Sequence, residues 1–302
     1  MLKLLPLFVF ACSLAVTASA QQVGDKIVVT ADNAQLRSNS DATGSVPKGN
    51  VLVVRKVNDD WFWVISSSGN TESVKGWIKR SDVIPFSQAL DFFNAELKRK
   101  PTAATYNIRG MIRDAKGEYD TAIGDFDEAI RLDPNFKWAY YNRGLAWSNK
   151  KNYEKAISDY NEAIRFDPKN AIAHNNRGWA WSNKKEYDKA NADYNEAIRL
   201  DPKLDWALSN RAWLAATCPD AKYRDGQKAV DDATKLCELT RWQNGGWLDT
   251  LAAAYAEKGD FESAVKWQTK ARDMASEQEK VVYQSRLVLY KAHKPYRQEV
   301  KK

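Results

Sequence analysis

Residues 143–168 read RGLAWSNKKNYEKAISDYNEAIRFDP, and residues 177–202 read RGWAWSNKKEYDKANADYNEAIRLDP. The two stretches begin 34 residues apart, and the register continues outward on both sides. Arg109, Arg143, Arg177 and Arg211 keep the step, followed by Gly110, Gly144, Gly178 and, in the fourth place, Ala212. Tyr119, Tyr153 and Tyr187 recur with them, as do Ala122, Ala156 and Ala190, then Phe126, Tyr160 and Tyr194, then Ala129, Ala163 and Ala197. Pro134, Pro168 and Pro202 each follow an Asp at the end of a unit. A fixed period of this size marks stacked helical hairpins, none of which can cover its apolar face alone. Small residues at matching points let the two helices of a hairpin approach closely. The large aromatics are expected to fill the layer between neighbouring hairpins, and proline stops one unit's second helix from running into the next.

The pattern weakens toward both ends. Asp205 to Glu238 forms a fourth unit whose second helix starts about five residues late, with Ala229 in the small-residue position and a loop around Pro219–Tyr223. Gly245 to Gln278 forms a fifth, keeping Tyr255, Gly259, Phe261, Ala264 and Ala271. Glu279 to His293 reads as a polar capping helix ahead of a basic tail. Upstream, Ala89, Phe93 and Pro101 occupy second-helix positions of a half repeat over Ser87 to Pro101. Period and residue types resemble the tetratricopeptide repeat (TPR), which implies a superhelix whose first helices line a concave groove.

From Asp25 to Phe86 the chemistry is different. Lys26–Thr30, Asn50–Val54 and Trp61–Ile65 are short and rich in β-branched or aromatic residues, separated by Gly44, Gly49, Gly69 and Gly76. Gln35-Leu36-Arg37-Ser38, Pro47-Lys48-Gly49, Asp60-Trp61-Phe62-Trp63-Val64 and Gly76-Trp77-Ile78 follow one another as in the bacterial SH3-like domain, which this segment resembles. The fold class expected is therefore α+β in two modules. A small SH3-like β-barrel spans 21–86, a linking helix 87–101, five TPR units 102–278, and a capping helix with its tail 279–302.

The first twenty residues read as an export leader: Lys3, an apolar stretch from Leu4 to Val16, then Ala18-Ser19-Ala20 before Gln21. Cleavage is expected between Ala20 and Gln21, placing the chain in the periplasm or envelope or outside the cell. Cys12 as a lipid-bearing residue is the rival reading. No later run approaches the roughly 20 apolar residues of a membrane span. The formal net charge of +7 is mild, and acidic and basic residues alternate, so no nucleic-acid stripe is expected. Cys218 and Cys237, on different helices of one unit, are expected to be free thiols.

No residue set suits catalysis, and neither a metal nor a cofactor is expected. Beyond the leader, the two His, His174 and His293, fall in separate units. No Cys pair has zinc-site spacing, and the glycines make no phosphate loop. Arg109, Arg143 and Arg177 each have an Asp sixteen residues on, at Asp125, Asp159 and Asp193. In the fourth unit the late helix moves the partner to Asp232, beside Arg211. Four coincidences point to an ion pair joining the helices of each hairpin, with an anion-binding arginine row as the alternative.

Resemblance to the TPR implies that positions 2, 5, 6, 9, 12 and 13 of each first helix face the groove. These include Asn107, Tyr141, Asn175 and Ser209 at position five, Asn142, Asn176 and Asn210 at position six, and Trp179 and Trp213 at position nine. Asn both donates to and accepts from a peptide backbone, and Trp offers flat apolar area. The basic residues by which a TPR subgroup clamps C-terminal carboxylates are missing from positions five and nine. The expected function is a non-catalytic scaffold that grips an extended peptide segment. The alternatives are a peptidoglycan-binding barrel with the repeats as spacer, or Asn that merely solvates a repeated template. Replacing Asn142, Asn176 and Asn210 by Ala is expected to leave the fold's stability nearly unchanged.

Overall fold

The computed structural model describes residues 22, 24–38, 41–66 and 75–298, so the leader, Cys12 and the Ala20–Gln21 junction lie outside the described residues. The chain divides into two units, with the boundary at Ala89–Leu90.

The N-terminal unit is an antiparallel sheet of β1 (Lys26–Val29), β2 (Asn33–Ser38), β3 (Asp41–Pro47), β4 (Val51–Asn58), β5 (Trp61–Ser66), β6 (Lys75–Lys79) and β7 (Val83–Pro85). Among the described residues the pairing runs β3-β2-β6-β5-β4-β1-β7. Period-two alternation places Leu52, Val54, Phe62, Val64 and Ile78 in the core and leaves Trp61, Trp63 and Trp77 half-buried on the other face. β4 continues past Val54, where the sequence reading stopped it. The register shifts between Val54 and Lys56, and Arg55–Asn58 run on as an exposed extension paired with β5.

The C-terminal unit is a helical solenoid. After α1 (Ala89–Arg99), five hairpins follow. They are α2 (Ala103–Ala115) with α3 (Tyr119–Leu132), α4 (Lys137–Asn149) with α5 (Tyr153–Phe166), and α6 (Ala171–Asn183) with α7 (Tyr187–Leu200). Next come α8 (Asp205–Thr217) with α9 (Gly226–Leu239), and α10 (Gly245–Lys258) with α11 (Phe261–Asp273), before α12 (Glu277–Lys291) ends the array. The turn inside hairpins one, two, three and five passes through one left-handed residue: Gly117 (φ 80°), Lys151 (φ 60°), Lys185 (φ 64°) and Gly259 (φ 88°). Glycine takes this shape freely, whereas a side chain there costs about 1–2 kcal/mol.

Helix approach follows the small residues. A Cβ on Gly110, Gly144 or Gly178 would lie 2.5–2.8 Å from the ring of Phe126, Tyr160 or Tyr194 in the same hairpin. The aromatics thus belong first to their own hairpin and not only to the layer between neighbours. Beyond it, Phe126 reaches the cluster containing Ala146, and Tyr160 the one containing Ala180. In the fourth unit the glycine becomes Ala212 and both it and Ala233 are fully buried in one cluster, so the methyl is accommodated where no ring competes.

The extra residues of the fourth unit form a short 3-10 turn, Ala221–Tyr223, before Asp225 caps α9 through the Lys228 N–H. The capping helix is less polar than its sequence reading: α12 buries Tyr283, Leu287 and Tyr290 and leaves Val281, Val282 and Val288 exposed.

Candidate functional site: the face of the first helices

The repeated arginines form the frame. Arg143 Nε and Nη2 reach Asp159 at 2.9 and 2.6 Å, and Arg177 holds Asp193 and Arg109 holds Asp125 with the same two-pronged geometry. Arg211 holds Asp232 at 2.8 and 2.7 Å across the longer spacing of the fourth unit. The remaining guanidinium nitrogen turns backward, to Asn94, Asp127, Asn161 and Asn195 at 2.6–2.8 Å. Each arginine therefore joins its own second helix to the one before it, and α1 supplies that preceding position for Arg109. All three nitrogens of each guanidinium are thus engaged within the solenoid. In the third unit His174 Nδ1 also stands 3.5 Å from Asp193. Burial alone would raise the Asp193 carboxyl, but hydrogen bonds from Arg177 and His174 hold it below the usual carboxylate range.

The amides of the first helices are used between units. Asn142 donates to Asn107 (2.9 Å), Asn210 to Asn175 (2.9 Å), Asn176 to the Tyr141 hydroxyl (3.0 Å), and Asn175 to Asn176 (3.1 Å). Asn107, Asn175 and Ser209 are buried, which corrects the expectation that they line an open groove. A first helix stacks so closely on its neighbour that position five is covered and its polar group is satisfied by position six of the next unit. Burial pushes the Tyr141 hydroxyl up to about 12, against the hydrogen bond from Asn176, so it stays a neutral partner in this chain of contacts.

What remains accessible is aromatic. Trp138, Trp179 and Trp206 are 47, 40 and 48 % exposed, and Met111 is 39 % exposed, all on first helices. Trp179, Asn210 and Trp213 converge on a cavity of about 340 Å³ with Ser182, Asn183 and Gln298. Gln298 belongs to the C-terminal tail, whose return to this face no periodicity in the sequence announces. Tyr296 lies against Trp213 with ring centroids 5.9 Å apart, and the Arg286 guanidinium stands 4.7 Å from both rings. Arg286 in turn pairs with the buried Asp249. In the N-terminal unit a separate cleft of about 370 Å³ is lined by Arg37, Asn58, Trp61 and Trp77.

Cys218 and Cys237 are buried and free, and burial pushes the Cys237 thiol up to about 12, which keeps it a neutral packing group. Among the described residues no cluster of three or more His, Cys, Asp or Glu is arranged to hold a metal ion, and no helix is long and apolar enough to cross a membrane.

Comparison with known proteins agrees with this architecture. The tetratricopeptide repeat family matches residues 138–170 and 171–204, and a TPR-repeat family matches 112–151, so this part of the chain consists of TPR units. No curated protein sequence matches the chain. Among solved structures, it is similar to the APC/C hetero-tetramer Cut9–Hcn1 (16 % identity, TM-score 0.59, 69 % of this chain and 40 % of that one). It is similar also to yeast Tom70 (23 %, 0.53, 67 % and 43 %) and to YrrB (19 %, 0.50, 65 % and 98 %). The chain thus spans less than half of Tom70 and of Cut9–Hcn1, and these likenesses show the fold of the helical solenoid, which in this chain follows the N-terminal antiparallel sheet.

Proposed function

We propose that the chain is a non-catalytic interaction scaffold that receives an extended segment of another protein along the face of its first helices. The observation that carries this reading is the set of exposed tryptophans, Trp138, Trp179 and Trp206, one on each of three successive first helices. Trp138 and Trp206 share one position of the repeat, five residues before Arg143 and Arg211, and Trp179 holds another, two residues after Arg177. Aromatic area left in water on successive first helices is what a binding surface presents, and Trp is among the residue types most enriched in binding hot spots. YrrB is described as a TPR protein with a peptide-binding site, and the shared fold lends support by analogy. The test is a photo-crosslinking residue at Asn183, exposed beside Trp179, with one at Lys235 on the exposed side of a second helix as control, followed by mass spectrometry. Crosslinks from 183 and not from 235 are expected, and Trp138→Ala with Trp179→Ala should lower capture at least tenfold, because each truncated hot-spot residue costs more than about 1 kcal/mol. Capture through 235 alone would move the site to the outer face.

A second reading assigns contact with the cell wall to the N-terminal sheet, taken as an SH3-like domain of an exported protein. The half-open cleft of Trp61 and Trp77, with the Arg37 guanidinium 5.3 Å from the Trp61 ring, favours it, since flat rings suit sugar faces. Sedimentation of the full chain with purified sacculi, lost in Trp61→Ala, separates this from the first reading. Mature material beginning at Gln21 is the corresponding sign of export.

A further inference from the structure

The C-terminal tail lies against the first helices as a ligand would. Residues 292–298, after α12, have no regular structure, and His293 stacks on Phe261 with centroids 5.0 Å apart. Tyr296 then packs beside Trp213, with Arg286 close to both rings. Arg297 pairs with Glu257, and its Nη1 donates to the Ala216 carbonyl oxygen at 3.4 Å. The Gln298 N–H donates to the Thr217 carbonyl oxygen at 3.0 Å. Each of these receptor groups is built for the role. Ala216 and Thr217 are in the last turn of α8, where carbonyls lack helical partners and a cation is favoured. Glu257 is held from its other side by Arg224 at 3.0 Å, and Arg224 is anchored on the carbonyl oxygens of Cys218 and Pro219. The loop inserted into the fourth unit thus orients the carboxylate that meets Arg297. The cavity beyond Gln298 continues toward Trp179 and Asn210, so the tail covers one end of a longer track.

The geometry points to a recognition site on the fourth and fifth units for extended segments carrying an aromatic residue followed by arginine, which Tyr296–Arg297 fills in cis. This deepens the scaffold reading and rests on it, naming the ligand class at one end of the surface. The aromatic residue takes the place beside Trp213 and Arg286. The arginine takes Glu257 and the α8 carbonyls, and the next backbone N–H takes Thr217. Lysine would lose the second contact, since its single ammonium cannot span carboxylate and carbonyl as a planar fork does. A tail attached in cis acts at an effective concentration in the millimolar range, so a tail whose own intrinsic Kd is about 10 μM weakens any competing ligand roughly hundredfold.

The test uses the full chain and a fluorescent peptide of residues 292–302, AHKPYRQEVKK. The chain is opened by Tyr296→Ala with Arg297→Ala, both in the tail and outside the helices, and its helicity is checked by circular dichroism. The opened chain should bind the peptide at least tenfold more tightly than the unsubstituted chain. Changing the peptide's Tyr to Ala or its Arg to Glu should abolish binding, and Glu257→Gln in the opened chain should weaken the unaltered peptide. A peptide that fails to bind the opened chain, or binds both chains equally, overturns the site. So does a dimer of the unsubstituted chain that dissociates on opening, which would make the tail a link between copies. Crosslinking at position 183 reads the scaffold proposal separately, because it reports partner capture whether or not this peptide binds.

Discussion

A methyl group on Gly144 would stand 2.8 Å from the Tyr160 ring and 3.3 Å from the Ala156 carbonyl oxygen, so this position decides how closely α4 and α5 approach. Gly144→Ala should lower stability by about 1–3 kcal/mol in urea unfolding, the usual cost of overpacking, and an unchanged midpoint would mean that the ring yields. The ion pairs invite a second prediction. Asp159 is nearly buried while Arg143 keeps about a fifth of its side chain exposed and has Asp127 as another partner. Asp159→Ala should therefore cost more than the ~1 kcal/mol of an exposed pair and less than the ~3–5 kcal/mol of a fully buried one. A double-mutant cycle with Arg143→Ala should show coupling. Asp193 permits a sign to be given for pH. Its carboxyl lies below its unfolded value of about 3.9, so its stabilisation is complete above that value and is lost as pH falls through the lower folded one. The stability gap between the unsubstituted chain and Asp193→Asn, wide at pH 7, should close in strong acid. The Arg–Asp spacing was legible in the sequence because both residues repeat. His174 as a third member was not, since Tyr140 holds the equivalent place one unit earlier and breaks the period.

At the scale of the helix, the amides overturn one expectation. Asn142, Asn176 and Asn210 were expected to face solvent and carry little of the fold, yet each donates to the unit before it. Replacing all three by Ala leaves the buried Asn107 and Asn175 carbonyl oxygens without these donors. At about 1 kcal/mol per lost bond, the triple variant should be some 2–4 kcal/mol less stable, measured by thermal unfolding. A melting temperature equal to that of the unsubstituted chain would mean that water replaces the bonds at no cost. Position along a helix was readable from period and spacing, but the partner of a polar side chain was not. Facing the groove and facing the next first helix differ by a fraction of a turn, and only packing separates them. The helix starts add caps that the period does not mark: Asn152, Asn170, Asp225 and Asp260 each accept from a backbone N–H in the first turn of their helix.

For the molecule as a whole, the change of period from two to 34 residues made both architectures visible, and the late fourth unit could be read from a five-residue slip. The tail's return could not. Its receptor is assembled from Trp213, Glu257 and Arg286, on three different helices, and nothing local in residues 294–298 encodes that meeting. The two-sided arginine brackets have a further consequence, for how such a chain lengthens. The second, third and fourth units present the same donor backward, and the second and third the same acceptor forward: Arg211 takes Asn195 just as Arg177 takes Asn161, and Asn210 takes Asn175. A tandem copy of residues 171–204 therefore arrives with its connections already matched on both sides, and a gene carrying it should yield a longer cooperative solenoid. Past Asp205 that interchangeability ends, because the inserted loop, Asp249 with Arg286, and the returning tail occur once each. Growth by duplication is open in the interior and closed at the C-terminal end, so lineages of this protein should differ in the number of middle units while keeping the last two hairpins as one inherited block.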